Sequence, residues 1–451
     1  MGSLQQYIDL YAAQRDTLAA GSCPALNARR EAALLQLREK GLPTLRDEDY
    51  KYTDAEAAFA PDYGLNLRRT VPATDPYRTY RCAVPNMSTQ LYFVVNDVPM
   101  PPAAGQPSLP GGACVMSLKQ AATDLPEVLE SCYHRAAATD GDGVTALNTL
   151  LAQDGLLVYL PAGVVLPHPV QIVNVAAAGA DLMMNRRLLI VAERGAQGAI
   201  LCCDHADGKH ATLSTQVVEI YAAEEARLDL YAVEETQATH TAFNNLYVDQ
   251  AAHSRVTYHG ITLTNGLTRN RLTFRLAGQG AEMVARGVAV ADGEERVDNS
   301  LLVDHAAPAC TSNLLYKYVL DGHSVGAFAG KVLVREGAQK SLSEQTNANL
   351  CASADARAFS QPMLEIYADD VKCNHGSTIG KLDEMALFYM RQRGIDEREA
   401  RLLLQHAFVN DVLRHIEPER LRDRLAHLVE QRFRGELSAC RGCRMCASHR
   451  Q

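Results

Sequence analysis

Residues 188–201 read LLIVAERGAQGAIL: an apolar run, a short loop of small and charged residues, and a second apolar run. The same form recurs downstream as VVEIYAAEEARLDL (217–230), NLYVDQAAHSRVTY (245–258), LTFRLAGQGAEMVA (272–285) and SLLVDHAAPACTSN (300–313). Aligning the small residue before each second strand as Ala199, Ala226, Ser254, Ala281 and Ala309 gives steps of 27, 28, 27 and 28 residues. A near-constant period of this size, built from strands, predicts a β-solenoid. One such unit cannot bury its apolar face alone, whereas stacked units bury a continuous core between them. None carries the calcium-binding nonapeptide pattern, so this core is expected to need no metal. A β-sandwich also strings short strands between turn signals and is the alternative fold. The constancy of the step favours the solenoid.

Helical patterns flank these repeats on both sides. Upstream, Leu4, Tyr7, Ile8 and Tyr11 fall at i, i+3, i+4 and i+7, one face of an amphipathic helix. A second helix, NARREAALLQLREKG, should end at Gly41, with Pro43 blocking its continuation. LYFVVNDVP (91–99) reads as a strand and VTALNTLLAQDG (144–155) as a helix. Downstream, LDEMALFYMRQRG stops at Gly394, and Asp396 to Glu399 have the form of a capping box that opens the next helix. Leu402, Leu403, His406, Ala407, Val409 and Leu413 are its expected apolar stripe, and a last charged helix runs from Pro418 to Gly435. These helices are expected to cap the end of the solenoid and cover its open edge. The chain thus divides into a mainly helical region with some strands (1–154), the parallel β-helix (155–380), a helical domain (381–435) and a cysteine-containing tail (436–451).

The 451 residues carry a net charge of −9, which argues against a nucleic-acid or membrane-surface footprint. The N-terminal stretch lacks the basic and apolar segments of a secretion signal, and no apolar run is long enough to span a bilayer. Twelve cysteines without such a signal point to reduced thiols in the cytoplasm. Cys82, Cys114, Cys132, Cys310 and Cys351 are scattered singly and are expected to pack as small apolar residues.

Six stretches invite a chemical reading. GAFAGKV (326–332) is no phosphate loop, because three residues separate its glycines and Val332 replaces the magnesium-binding hydroxyl; a solenoid turn is expected instead. In CCDHADGKH (202–210), Cys202 and Cys203 point to opposite faces of a strand and cannot share one metal. His305 and His323 are expected at surface turns. In YADDVKCNHGST (367–378), Cys373 and His375 share parity, so a strand would project both from one face. A thiolate beside an imidazole suits soft or borderline metals, including iron–sulfur clusters, but two ligands make half a site and a partner chain must supply the rest. Finally, Cys440, Cys443, Cys446 and His449 in CRGCRMCASHRQ have the donor types for a cluster or zinc, although the ferredoxin pattern would need a further Cys followed by Pro.

LEIYADDVKCNHGSTIGKLDEMALFYMRQRGI (364–395) resembles the signature of the SufB/SufD family, and within it the SufD branch. The likeness extends to residues 316–350 and 268–287, and more faintly to RDEDYKYTD near the N-terminus. The resemblance implies a right-handed parallel β-helix between helical regions, and a non-enzymatic scaffold subunit of the SUF machinery for iron–sulfur cluster assembly. It implies pairing with SufB through the β-helix, with a homodimer possible when SufB is absent. Docking of the ATPase SufC through the C-terminal helices is implied too, so the chain would have no nucleotide site of its own. Carried over by position, Cys373 and His375 match the SufD side of the nascent-cluster site, and Phe388, Tyr389 and Arg393 match the SufC-docking region. Tyr50 stands where relatives usually carry Trp, and Asn374 and Ser377 replace the commoner Ser and Ala. The cysteine tail is not part of the family pattern. Two other readings are a β-helix enzyme acting on polysaccharide and a metal carrier working through the tail. The first is opposed by the absent secretion signal and by 6% aromatic residues with no Trp.

Overall fold

The computed structural model describes residues 3–71, 75–79, 90–139, 141–177, 179–206 and 210–436. Among the described residues the strands form two sheets, one of nine strands and one of ten; from Leu156 onward successive strands alternate between them, and each pairs in parallel with the strand two places on. His240–Gln250, for example, pairs with Leu267–Leu276, which pairs with Arg296–His305. This is a parallel β-solenoid with two long strands per turn. Its core is a set of columns: Leu246, Leu272 and Leu301 are successive register partners, and so are Val248, Phe274, Val303 and Val332. All are buried between the sheets. Each fully buried side chain of this kind contributes about 1.5–3 kcal/mol.

The tight turn at one edge is occupied by Ala196, Ala226, Ser254, Ala281, Cys310 and Ser341, each 0% exposed. Their carbonyls accept from the first residue of the strand in the next turn, Arg227, Arg255, Glu282, Thr311, Leu342 and Lys372 respectively. The expected repeat therefore holds at Ala226, Ser254 and Ala281 and shifts at its ends. Ala199 lies inside a strand opposite Asp229, and Cys310 takes the place assigned to Ala309. The turns differ in length, so the period is less even than the alignment implied.

Both sheets are covered on their outer faces. Tyr7, Tyr11, Leu37, Leu147 and Leu150 of the N-terminal helices pack on Met183, Leu213 and Phe243 of the nine-stranded sheet. Ser3–Ala20 buries Tyr7, Ile8 and Tyr11 as expected, and Arg30–Lys40 ends at Gly41, whose φ of 76° suits glycine. Tyr50 donates to Asp142 Oδ2 at 2.7 Å and lies under the Arg269 guanidinium, which pairs with Asp298 at 3.2 Å. Thr53 donates to the same carboxylate at 2.6 Å. This buried network fastens RDEDYKYTD onto the middle of the solenoid.

The C-terminal helices Glu384–Gln392, Glu397–Leu413 and Glu419–Phe433 do not cap the solenoid end. The last two lie against the outer face of the ten-stranded sheet, where Val409, Val412, Leu413, Leu421 and Leu425 meet Val233, Ile261, Val288 and Val319. Lys317–Asp411 (2.9 Å) and Arg432–Glu295 (2.6 Å) fix them there. The cause is in the strands: runs such as VAVA (288–291) are apolar on both faces, and both must leave water. The buried face of Glu397–Leu413 is Ala400, Gln405, Val409, Val412 and Leu413, while Leu403 and Ala407 of the expected stripe are exposed. Asp396 accepts from the Glu399 amide at 3.1 Å, but Glu399 pairs with Arg434 and not with its own helix start. No helix among the described residues is long and apolar enough to cross a membrane.

Candidate functional site

The last strand of the solenoid, Lys372–Gly380, pairs in parallel with Leu342–Cys351 and has no strand on its other side among the described residues. Ser343 lies opposite Cys373, Gln345 opposite His375 and Asn347 opposite Ser377. Ser343, Gln345 and Asn347 are buried inward, so Cys373, His375 and Ser377 continue the same inner columns. The shared parity of Cys373 and His375 is thus realised at the mouth of the solenoid interior, one pleat repeat apart, about 6.6 Å along the strand. Cys373 is half-buried against the core; His375 and Ser377 are exposed because no further turn covers them. Ser377 Oγ donates to Ser360 Oγ at 2.6 Å, across to the facing terminal strand Arg357–Ile366.

Burial pushes the Cys373 thiol up, partly offset by the Ser343 backbone N–H. The thiolate is the ligand and nucleophile, so this sulfur stays quiet until a cation or metal approaches. The His375 imidazole two residues on is a borderline-soft donor. Together they supply two donors, half of a tetrahedral set. Among the described residues, no group of three or more His, Cys, Asp or Glu side chains is placed to hold a metal ion. Asp370 is engaged in the turn before the strand, where it meets Lys340 and Gln339.

A feature that hydrophobic periodicity does not reveal lies just beneath. The strand paired with the last, Leu342–Cys351, presents Ser343, Gln345, Asn347 and Asn349 to the interior, all buried. Gln345 Nε2 donates to the Gly330 carbonyl at 3.1 Å, while its Oε1, on the residue opposite His375, has no partner. A side chain at Gly330 would put Cβ 2.4 Å from Gln345 Nε2. GAFAGKV is therefore strand and not turn, within Val325–Val334, and its second glycine makes room for Gln345. The signal was the alternation of Ser, Gln, Asn and Asn at period two in LSEQTNANL.

Other candidates fall elsewhere. His305, expected on the surface, is fully buried: its Nε2 lies 2.9 Å from Ser312 Oγ, and burial holds the imidazole down at about 4. It ends a strand whose tip is covered by the neighbouring turns. His323 is exposed, as expected. Cys202 and Cys203 enter separate apolar clusters on opposite faces. Cys440, Cys443, Cys446 and His449, and likewise Cys82, lie outside the described residues.

Glu384–Gln392 is capped by Asp383, which accepts from the Met385 and Ala386 amides at 2.9 and 3.1 Å. Leu387 is buried, whereas Met385, Phe388 and Tyr389 are 74%, 56% and 59% exposed on one face. Arg393 donates to Tyr389 Oη at 2.8 Å and lies over its ring. The structure thus places Phe388, Tyr389 and Arg393 on one exposed helix end, and adds Met385, which sequence reasoning missed.

Comparison with known proteins gives two family matches: SUF system FeS cluster assembly, SufBD core domain, over residues 174–408, and SufBD protein N-terminal region over residues 1–172. The chain is 27% identical over 436 residues to an iron–sulfur cluster assembly SufBD family protein of Synechocystis, covering 94% of this chain and 95% of the relative. It is 26% identical over 412 residues to the iron–sulfur cluster assembly protein SufD of Escherichia coli, covering 89% and 92%. A SufBD family protein of Mycobacterium leprae is 35% identical over 178 residues, covering 38% of this chain and 45% of the relative.

Proposed function

Because the chain belongs to the SufB/SufD family of iron–sulfur cluster assembly proteins, we propose that it is a non-enzymatic scaffold subunit that builds half of a cluster site at its open solenoid end. The observation that carries this reading is the pair of terminal strands, each with one bare edge, the last of them carrying Cys373 and His375. A bare edge is a template for another strand. A SufB-like β-helix docked there would bring the missing donors, and Cys373 and His375 would hold a nascent cluster as shared cargo until it passes to an acceptor. A metal at the sulfur would draw off the thiol proton that burial now retains.

In the same proposal the exposed face of Glu384–Gln392, with Phe388, Tyr389 and Arg393, docks a SufC-like ATPase. Aromatic and arginine side chains on one exposed face are the usual composition of an interface centre. ATP hydrolysis would reside in that partner. Residues 382–394 continue directly from the last strand, so a shift of this helix is transmitted to the strand that bears the site.

Co-expression with SufB and SufC homologues tests the reading. A ternary complex is expected, and His375→Ala should retain it while cluster formation falls. Failure to isolate any such complex, or unchanged cluster formation in the variant, would remove the proposed role. Truncation after Gly435 separates this from a metal carrier acting through Cys440, Cys443, Cys446 and His449: the scaffold keeps its partners without the tail.

A further inference from the structure

The C-terminal helices leave part of the ten-stranded sheet uncovered, at the beginnings of the strands near its middle. A groove of about 440 Å³ opens there, within the size range of small-molecule sites. Its floor includes Arg227, Arg255, His259 and Arg286, and its far wall is His415 from the turn joining the two long C-terminal helices. Register explains the crowding. Arg227 lies directly opposite Arg255, and His259 directly opposite Arg286. Like charges facing each other across strands are destabilising, and no carboxylate lies within 4.0 Å of any of the three guanidinium groups among the described residues. On its other side Arg255 faces Glu282, and Arg286 donates to Asn313 Oδ1 at 2.6 Å, so the three guanidinium groups share one cavity without an ion pair, in a chain of net charge −9.

A second observation is independent of charge. His259 is 1% exposed, and neither ring nitrogen has a hydrogen-bond partner. Its plane is set by stacking on Tyr231, with centroids 5.0 Å apart and 18° between the rings. Leaving such a group unsatisfied costs about 1–3 kcal/mol, and the sheet maintains it at the floor of the groove.

We infer that this groove binds the phosphate group of a small phosphate ester. Arg227, Arg255 and Arg286 hold the phosphoryl oxygens, for which the planar guanidinium fork is suited. His259 donates from the floor; burial, then the fields of Arg286 and His415, hold its imidazole at about 4, so it meets the anion as a neutral ring with one N–H. Asp229 and Glu417 also line the groove. They oppose a bare anion but offer acceptors to hydroxyl groups, which favours an ester with a polar organic part over inorganic phosphate.

Titration calorimetry on the full chain tests this, with ribose 5-phosphate, inorganic phosphate and ribose as probes. Ribose 5-phosphate should bind with a Kd of about 1 mM or tighter. The double variant Arg227→Gln, Arg255→Gln should weaken it at least about tenfold, the scale of one charge-assisted hydrogen bond. Both arginines are exposed and repel each other, so the double variant should melt no lower than the parent. His259→Phe keeps the stacking, removes the N–H, and should weaken binding in the same direction. Inorganic phosphate binding as tightly as the ester would overturn the ester assignment and leave a free-phosphate site. No saturable binding up to about 10 mM, or equal affinity in the double variant, would overturn the site itself.

Discussion

The two ends of the solenoid are built on opposite plans. Where it begins, the edges finish in short strands that pair antiparallel: Val98–Pro99 on Gln90–Val95, and Cys114–Ser117 on Leu156–Leu160. Where it finishes, Arg357–Ile366 and Lys372–Gly380 each keep a bare edge among the described residues, with Ile366, Tyr367 and Ile379 exposed beside them. Short, twisted or covered edges are how sheets avoid pairing with strangers. One end follows that rule and the other breaks it, at the place where Cys373 and His375 lie. The interior changes in parallel, from columns of Leu, Val and Phe to a floor of Ser343, Gln345, Asn347 and Asn349. The difference marks a structural end and an end kept open for assembly.

Cutting a large side chain in the covered middle of the solenoid and another at its open end gives the strongest test of the contrast. Phe243 is fully buried between the N-terminal helices and the nine-stranded sheet, with its ring 5.0 Å from that of Phe59. Phe243→Ala should cost about 3–5 kcal/mol. Ile379 is 54% exposed, and Ile379→Ala in the isolated chain should cost under about 1 kcal/mol. Urea unfolding measures both, and equal losses would mean that the far end is packed in a way the bare edges deny.

The solenoid was legible in the sequence because stacked strands repeat apolar residues at similar turns, and Ala226, Ser254 and Ala281 fell into register at once. The ends of the alignment slipped because turns vary in length and several small residues stand near each one. The placement of the C-terminal helices was misread for a different reason. Val288 to Ala291 already show a strand apolar on both faces, which demands an outer cover as well as a core. The parity of Cys373 and His375 was readable, since a strand has period two whatever surrounds it. The contact of Gln345 with Gly330 was not, because the polar alternation shows which residues share a face but not their partner, which lies in the facing sheet, 15 residues away in sequence.

Gly330→Ala probes the polar floor beneath the open end. The added methyl meets the Gln345 amide and the Phe328 ring at the same point, and overpacking of this kind costs about 1–3 kcal/mol. Thermal or urea unfolding should show the loss, and Gly330→Ala combined with Gln345→Ala should recover part of it. No recovery would mean that Phe328, not Gln345, demands the glycine.

Association responds to the bare edges themselves. Ile366→Lys together with Ile379→Lys places charges where natural edges carry them. The isolated chain should keep its stability within about 0.5 kcal/mol, as surface changes do. Binding to a SufB homologue should weaken at least about tenfold, or 1.4 kcal/mol. Full-strength binding would move the partner surface away from this end.

The last test lies between the two ends and concerns the acids inside the molecule. Glu234 faces the solenoid interior with no cation paired to it among the described residues; Thr236, Thr262 and Thr268 donate to it at 3.2, 3.3 and 2.8 Å. Burial pushes its carboxyl up to about 8, against the pull of those hydroxyls. An acid raised by folding stabilises the fold while protonated, so its contribution is complete below the unfolded value near 4.3 and is lost as the pH rises through about 8. Near the closed end, Asp97 is raised to about 7, by burial that outweighs its 2.8 Å pair with Arg69, and acts in the same direction. Melting temperature should therefore fall between pH 6 and pH 9 in the parent chain. Glu234→Gln should flatten the upper part of that fall and leave the part belonging to Asp97. If the two curves stay parallel up to pH 9, the carboxyl is already ionised in the folded protein, and the middle of the interior is wetter than its threonine cage implies.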